Sequence, residues 1–118
     1  MKDDIEKKLE RIGDLNYVAT IVDLPNVDAV KTLAYTLKGA INNLYVVLGA
    51  VIDGKPSITV MISDDLAKQK GMHAGNIVRE LAKEIQGGGG GQPFFATAGG
   101  KDALGLKKAI SKSREFIK

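Results

Sequence analysis

Apolar residues recur along this chain in two periods, and each switch between them marks an element. Ile5, Leu9 and Ile12 stand at i, i+4, i+7, which predicts a helix over 3–12 with a narrow apolar stripe. Residues 16–22, Asn-Tyr-Val-Ala-Thr-Ile-Val, are rich in β-branched side chains and read as a strand. Residues 23–26 connect it to a helix that Asn26 caps, with Val27, Val30, Leu33, Ala34 and Leu37 on its apolar face and Gly39 at its end. The apolar run 43–52 reads as a central strand, where Gly49 marks a bulge or a close approach. Asp53-Gly54 then joins it to the alternating residues 57–62, a strong hairpin signal.

The second half reads as clearly. Ser63 is placed to cap a short helix over 64–70 that Gly71 stops. Ile77, Leu81 and Ile85 repeat at i, i+4, i+8 with Val78 and Ala82 beside them, which predicts a helix over 74–85. Residues 94–98 read as a short strand. Residues 102–117 read as the closing helix, with Leu106, Ala109, Ile110 and Phe116 facing inward. The order α-β-α-β-β-α-α-β-α predicts an α/β (mixed α+β) fold: a single mixed β-sheet with helices packed on it. Residues 1–13 read as the end of a helical linker segment, and 14–118 as the domain.

Five consecutive glycines, Gly87 to Gly91, separate the 74–85 helix from the last strand. Such a run weakens a domain unless bare backbone is needed there, because glycine loses the most backbone entropy on folding. Read as a loop, it could bring its N–H groups against a ligand with no Cβ in the way; read structurally, it is a flexible turn. On the first reading, valine at Gly89 and Gly90 should weaken binding yet leave the domain folded. The fingerprint G-x-G-x-x-G needs a strand before the loop and a helix after it, and here the order is reversed. Gly99-Gly100-Lys101-Asp102 lacks the spacing and the Lys-Ser/Thr pair of a P-loop. Its position at a helix start leaves two readings. It is an anion site built from free N–H groups and Lys101, or a tight turn with Asp102 as N-cap.

Composition narrows the partner. The chain has 118 residues, 44% of them hydrophobic and 26% charged, enough for one domain with one core. The net charge of +3 is uneven, since residues 1–67 sum to −3 and residues 68–118 to +6. The basic half holds both glycine clusters, which suggests an anionic partner, nucleic acid being the commonest large one; a solvated lysine face on the last helix would give the same charge. There is no cysteine, so disulfides and thiolate metal sites are excluded, as a reducing cytoplasm would suit. No apolar run suggests a signal peptide or membrane span. The single histidine, His73, reads as a local cap before a helix, and Asp64-Asp65 as helix-start acids rather than a metal pair. No serine has a His/Asp framework, so no catalytic set is expected; a carboxylate metal site would be possible in principle, but nothing shows its spacing, and none is expected.

Residues 87–102, Gly-Gly-Gly-Gly-Gly-Gln-Pro-Phe-Phe-Ala-Thr-Ala-Gly-Gly-Lys-Asp, resemble the hallmark of the C-terminal domain of alanyl-tRNA synthetases. There a glycine run precedes a polar or basic residue, proline, two variable positions and Ala-x-Ala-Gly-Gly-Lys-Asp. The lead-in 73–80, His-Ala-Gly-Asn-Ile-Val-Arg-Glu, resembles that family's preceding helix. The domain belongs to a wider DHH-associated group that also completes phosphoesterases of short oligonucleotides and cyclic dinucleotides. Those enzymes typically carry a histidine directly after the glycines, where Gln92 stands here.

The resemblance implies a non-catalytic module that binds the outer corner of tRNA, alanine tRNA in particular, and links aminoacylation with editing. It implies no cofactor for this chain, ATP and zinc belonging only to the parent synthetase. Partners would be tRNA and the parent's other domains, with self-association open and no membrane. Carried over by position, Gly87, Gly88, Gly89, Gly90, Gly91, Gln92, Gly99, Gly100 and Lys101 would face the RNA. Arg79, Lys83, Lys107 and Lys108 join them by charge and neighbourhood. Of Phe94 and Phe95, alternation lets at most one point outward to stack, and both are expected in the core. Two alternatives remain: the substrate-binding half of a DHH-type phosphoesterase, with Lys101 gripping a phosphate, or an interaction domain in which the glycines merely turn the chain.

Overall fold

A computed structural model describes residues 2–117. It contains helix α1 (Lys2–Glu6), strands β1 (Glu10–Ile12) and β2 (Leu15–Ile21), and helix α2 (Val27–Ala40). Strands β3 (Leu44–Ile52) and β4 (Lys55–Ile62) and helices α3 (Asp64–Gln69) and α4 (Ala74–Ala82) follow. Strands β5 (Gly88–Gly91) and β6 (Phe95–Gly99) and helix α5 (Leu106–Lys112) complete it. Single 3-10 turns extend α4 over Lys83–Ile85 and flank α5 over Ala103–Gly105 and Ser113–Phe116.

The six strands form one mixed sheet in the order β1-β2-β3-β4-β6-β5, with only β2 and β3 parallel. Alternation along each strand divides its side chains between two apolar layers. Val18, Leu44, Val46, Leu48, Ala50 and Met61 pack under α1 and α2 with Ile5, Val30, Leu33, Ala34 and Leu37. Tyr45, Val47, Ile58, Val60, Ile62, Ala96 and Ala98 pack on the opposite face beneath α4 and α5. The mixed sheet with packed helices expected from the pattern is therefore present.

Local chemistry fixes most boundaries. Asn26 accepts a hydrogen bond from the Ala29 amide at 2.8 Å, capping α2. Asp53 and Gly54, at φ +52° and +78°, form the two-residue turn between β3 and β4. Gly49 is a close approach rather than a bulge: β3 runs through it unbroken, and a Cβ there would stand 2.9 Å from Ile110 Cδ1 of α5.

Four expectations need correction. Residues 3–12 are not one helix, because their apolar residues serve opposite faces of the sheet. Ile5 packs under α2, whereas Ile12 lies against the α4–α5 layer, so the chain turns after α1 and pairs Glu10–Ile12 with β2. Gly13 at φ +62° makes that hairpin possible. Val27 is exposed rather than core, being the first residue of its helix. Ser63 stands at the N-cap position of α3, but its Oγ accepts from the Leu44 amide at 2.8 Å and ties the helix start to β3. The closing helix is shorter than 102–117, beginning and ending as 3-10 turns around α5.

Candidate nucleic-acid interface

The pentaglycine is not a loop. Gly88 to Gly91 form β5, the edge strand, paired antiparallel with β6 in the register Gly88↔Gly99, Gly89↔Ala98, Gly90↔Thr97, Gly91↔Ala96. Glycine is required at alternate positions of the run. A Cβ on Gly89 would run into the Thr97 carbonyl and stand 2.5 Å from Ala98 Cβ, and one on Gly91 would stand 2.8 Å from Ala96 Cβ. A Cβ on Gly87 would run into the Gly99 carbonyl. Gly88 has nothing within 4 Å, and Gly90 meets only the Arg79 guanidinium at 3.5 Å. Three glycines seal the strand to its neighbour, while Gly88 and Gly90 leave open backbone.

Helix α4 packs across one face of β5 and β6. Its N-terminus is used internally, the Ala74 amide donating to the Pro93 carbonyl at 2.8 Å and the Gly75 amide to Gln92 at 3.2 Å. Gly75 is needed there, since a Cβ would stand 2.7 Å from the Gly91 carbonyl oxygen. His73 caps the helix as expected, its Nδ1 accepting from the Asn76 amide at 3.2 Å. On the other face α2 lies over β3 and β4, so the α2 side of β5 is open and Gly88, Gly89 and Gly91 are exposed.

The Gly99-Gly100-Lys101-Asp102 turn offers no free N–H cradle. The Gly100 amide donates to the Pro56 carbonyl at 3.1 Å, and the Lys101 and Asp102 amides both donate to Ile85 at 2.9 and 3.0 Å. Asp102 is a cap, accepting from the Leu104 amide at 3.1 Å. An anion here can therefore meet only the exposed Lys101 side chain, and the anion-nest reading gives way to the tight turn.

The expected cations divide. Arg79 lies beside Gly90 and donates to Asn76 Oδ1 at 3.4 Å, so it borders the glycine strand. Lys83 pairs with Glu80 at 2.5 Å, and its hydrogen bond holds the Glu80 carboxyl below its usual range. Lys108 pairs with Glu84 at 3.3 Å, and Lys107 is exposed on α5. Gln92 is exposed at the turn between β5 and β6. Neither phenylalanine is fully buried, although Phe95 packs against the core layer beneath α2. Both are half-buried, with Lys31 Nζ 5.6 Å from the Phe95 ring centre and Lys38 Nζ 5.1 Å from that of Phe94.

Sequence reasoning missed Lys31, Tyr35 and Lys38 of α2. Their i, i+4, i+7 spacing was visible, but only the strand order brings that flank beside β6. Tyr35 meets Phe95 with ring centres 5.5 Å apart. Among the described residues no cluster of three His, Asp or Glu could hold a metal ion, and no helix is long and apolar enough to cross a membrane.

Against known proteins, residues 14–118 match the DHHA1 domain. The chain belongs to the DHHA1 family. Its match to the alanine–tRNA ligase of Cytophaga hutchinsonii is 53% identical over 99% of the chain, and to that of Bacteroides thetaiotaomicron 47% over 98%. It spans only 13% of the length of either ligase. The C-Ala domain from the alanyl-tRNA synthetase of Aquifex aeolicus superposes with a TM-score of 0.80 at 23% identity, covering 92% of this chain and 96% of that one. A pGpG-specific phosphodiesterase from Vibrio cholerae shares the fold more loosely, with a TM-score of 0.52 at 15% identity, covering 98% of this chain and 38% of that one. The resemblance carried by residues 73–102 thus extends over nearly the whole DHHA1 chain.

Proposed function

We propose that this chain is the non-catalytic tRNA-binding module of an alanyl-tRNA synthetase, contacting the outer corner of the tRNA and linking aminoacylation with editing. The observation that carries the reading is the near-full-length similarity to alanine–tRNA ligases. The geometry supports it with a bare-backbone strand, open on one face and bordered by Arg79, and with Lys101 exposed in the turn that follows β6. Folded RNA is recognised through shape, backbone and stacking, and an edge without side chains can lie against a ribose or base plane. Basic side chains supply the phosphate attraction, which falls as salt rises.

The partners are tRNA and the other domains of the parent synthetase, with ATP and zinc chemistry belonging to those domains. A second reading, the substrate-binding half of a DHH-type phosphoesterase, draws on the fold shared with the pGpG phosphodiesterase. Gln92, following the glycines where those enzymes typically carry histidine, weighs against it.

Titrating fluorescent alanine tRNA and a labelled dinucleotide into the chain at several salt concentrations tests both. The expected result is salt-sensitive tRNA binding, weakened by Gly88→Val at unchanged melting temperature and by Lys101→Ala. Dinucleotide binding without tRNA binding would overturn it in favour of the second reading.

A further inference from the structure

The step between α2 and the uncovered β6–β5 surface is the least explained surface of the molecule. Its wall is one flank of α2, where Lys31, Tyr35 and Lys38 stand one above the next. Its floor is β6, with half-buried Phe95 and Thr97, and beyond it the glycine backbone of β5. Tyr35 is 43% exposed although it belongs to a helix whose Leu33, Ala34 and Leu37 are buried. Aromatic residues are commonly buried or half-buried, so this one, backed by Phe95 at a tilt of 37°, offers a ring to an incoming planar group. Three aromatic rings, Tyr35, Phe94 and Phe95, therefore gather beside β5, a stretch of sheet with no side chains.

The charges fit an anionic, aromatic ligand. Lys31 is exposed and forms no ion pair among the described residues, and its ammonium sits over Phe95. Lys38 sits over Phe94 while bridging to Asp64 at 3.0 Å. A nucleotide supplies what both need, a π-face for the ring and a phosphate for the free lysine. An apolar peptide would bring no charge for Lys31.

We propose that this corner is a base-stacking subsite, in which Tyr35, supported by Phe95, receives one exposed nucleobase face of the bound RNA while Lys31 meets a neighbouring phosphate. The inference rests on the tRNA reading above and names side chains that reading did not include. The glycine strand then acts as the flat floor that lets the ribose-phosphate chain come close enough for the base to reach α2.

Two measurements on the intact chain test it. The first is tRNA affinity for Tyr35→Ala, Tyr35→Phe and Lys31→Gln, with melting temperature recorded on the same samples. Tyr35→Ala should weaken binding tenfold or more and Tyr35→Phe should bind as the parent does, since stacking needs only the ring. Lys31→Gln should weaken binding a few-fold and lower the steepness of the salt dependence by about one contact. The second is zero-length ultraviolet crosslinking to tRNA, which should recover the α2 peptide joined through Tyr35. Parent-like affinity in folded Tyr35→Ala, with crosslinks only outside α2, would overturn the stacking site and leave the tRNA reading intact if Gly88→Val still loses binding. No tRNA binding by the parent chain would overturn both.

Discussion

The sheet ends in two very different edges. At one, β1 is three residues long and carries Glu10 and Arg11 outward. Arg114 donates to Glu10 at 2.6 Å and lays its guanidinium 5.1 Å from the centre of the Tyr17 ring. Behind it, the Tyr17 hydroxyl and Ser113 Oγ are 2.6 Å apart, and Tyr45 donates to the Ser113 carbonyl at 2.9 Å. Short length and charge are how proteins blunt an edge against unwanted pairing. At the other edge, β5 has no side chains at all. An unprotected strand of bare backbone is a liability in a protein that does not use it. The contrast is between a closed edge at β1 and an open one at β5, the edge on which the proposed tRNA contact rests.

The largest expected effect falls on β5 itself. Gly89→Val drives a side chain into the Thr97 carbonyl and Ala98, so it should cost about 3 kcal/mol or more and lower Tm by about 10 °C or more. This reverses the expectation from sequence that valine at this position leaves a folded domain. The reversal has a clear cause: a loop would have turned the position toward solvent, whereas the strand turns it toward β6. Thermal unfolding of the single variant is sufficient, and a parent-like Tm would mean that β5 is not built as a strand.

Next in size is the closed edge. Ser113→Ala removes the partner of the Tyr17 hydroxyl, both groups being buried, and should cost about 1–3 kcal/mol in denaturant unfolding. Burial already pushes the Tyr17 hydroxyl pKa up, so that phenol does not escape the loss by ionising, whereas Tyr45 keeps its bond to the Ser113 main-chain carbonyl. An unfolding midpoint unmoved by Ser113→Ala would show that the closed edge does not rely on this network.

Local signals reported what was local. Asn26 as a cap, Asp53-Gly54 as a hairpin and the apolar faces of α2 and α4 all follow from spacing and turn chemistry, and the structure has them. What failed depended on contacts far along the chain. The apolar residues of 3–12 have helical spacing, yet Ile5 and Ile12 serve opposite faces of a sheet formed by later residues. Gly99 to Asp102 have the composition of an anion cradle, but the Ile85 and Pro56 carbonyls already take the amides of 100–102. The glycine run signalled close backbone approach without showing that the approaching group was β6. The α2 flank stayed invisible because α2 and β6 meet only through the strand order.

A smaller effect sharpens the β5 edge. Gly88 has open space where a Cβ would go, and its backbone avoids the left-handed region. Gly88→Ala should therefore leave Tm unchanged or raise stability by about 0.4–1 kcal/mol through the unfolded chain. Set beside Gly89→Val, it asks whether neighbouring glycines differ as sharply as the geometry requires. A large loss of stability in Gly88→Ala would remove the distinction between sealing and open positions.

The smallest expected effect is a pH response at β1. The hydrogen bond from Arg114 holds the Glu10 carboxyl below its ordinary 4.5, and the same bond raises the Arg114 guanidinium. A depressed carboxylate contributes stability that is present above its unfolded pKa and lost as pH falls through the lowered folded value. The response therefore lies on the acid side, below about pH 4.5, and is small because the pair is exposed and screened by salt. Following the Glu10 carboxyl by NMR, Arg114→Ala should return its titration to the ordinary carboxylate range. In the parent, the protection of the 10–12 amides relative to their intrinsic exchange rate should fall only in acid. A Glu10 titration that ignores Arg114→Ala would show that the ion pair does not close this edge, leaving the short length of β1 and the Tyr17–Ser113 network to do so.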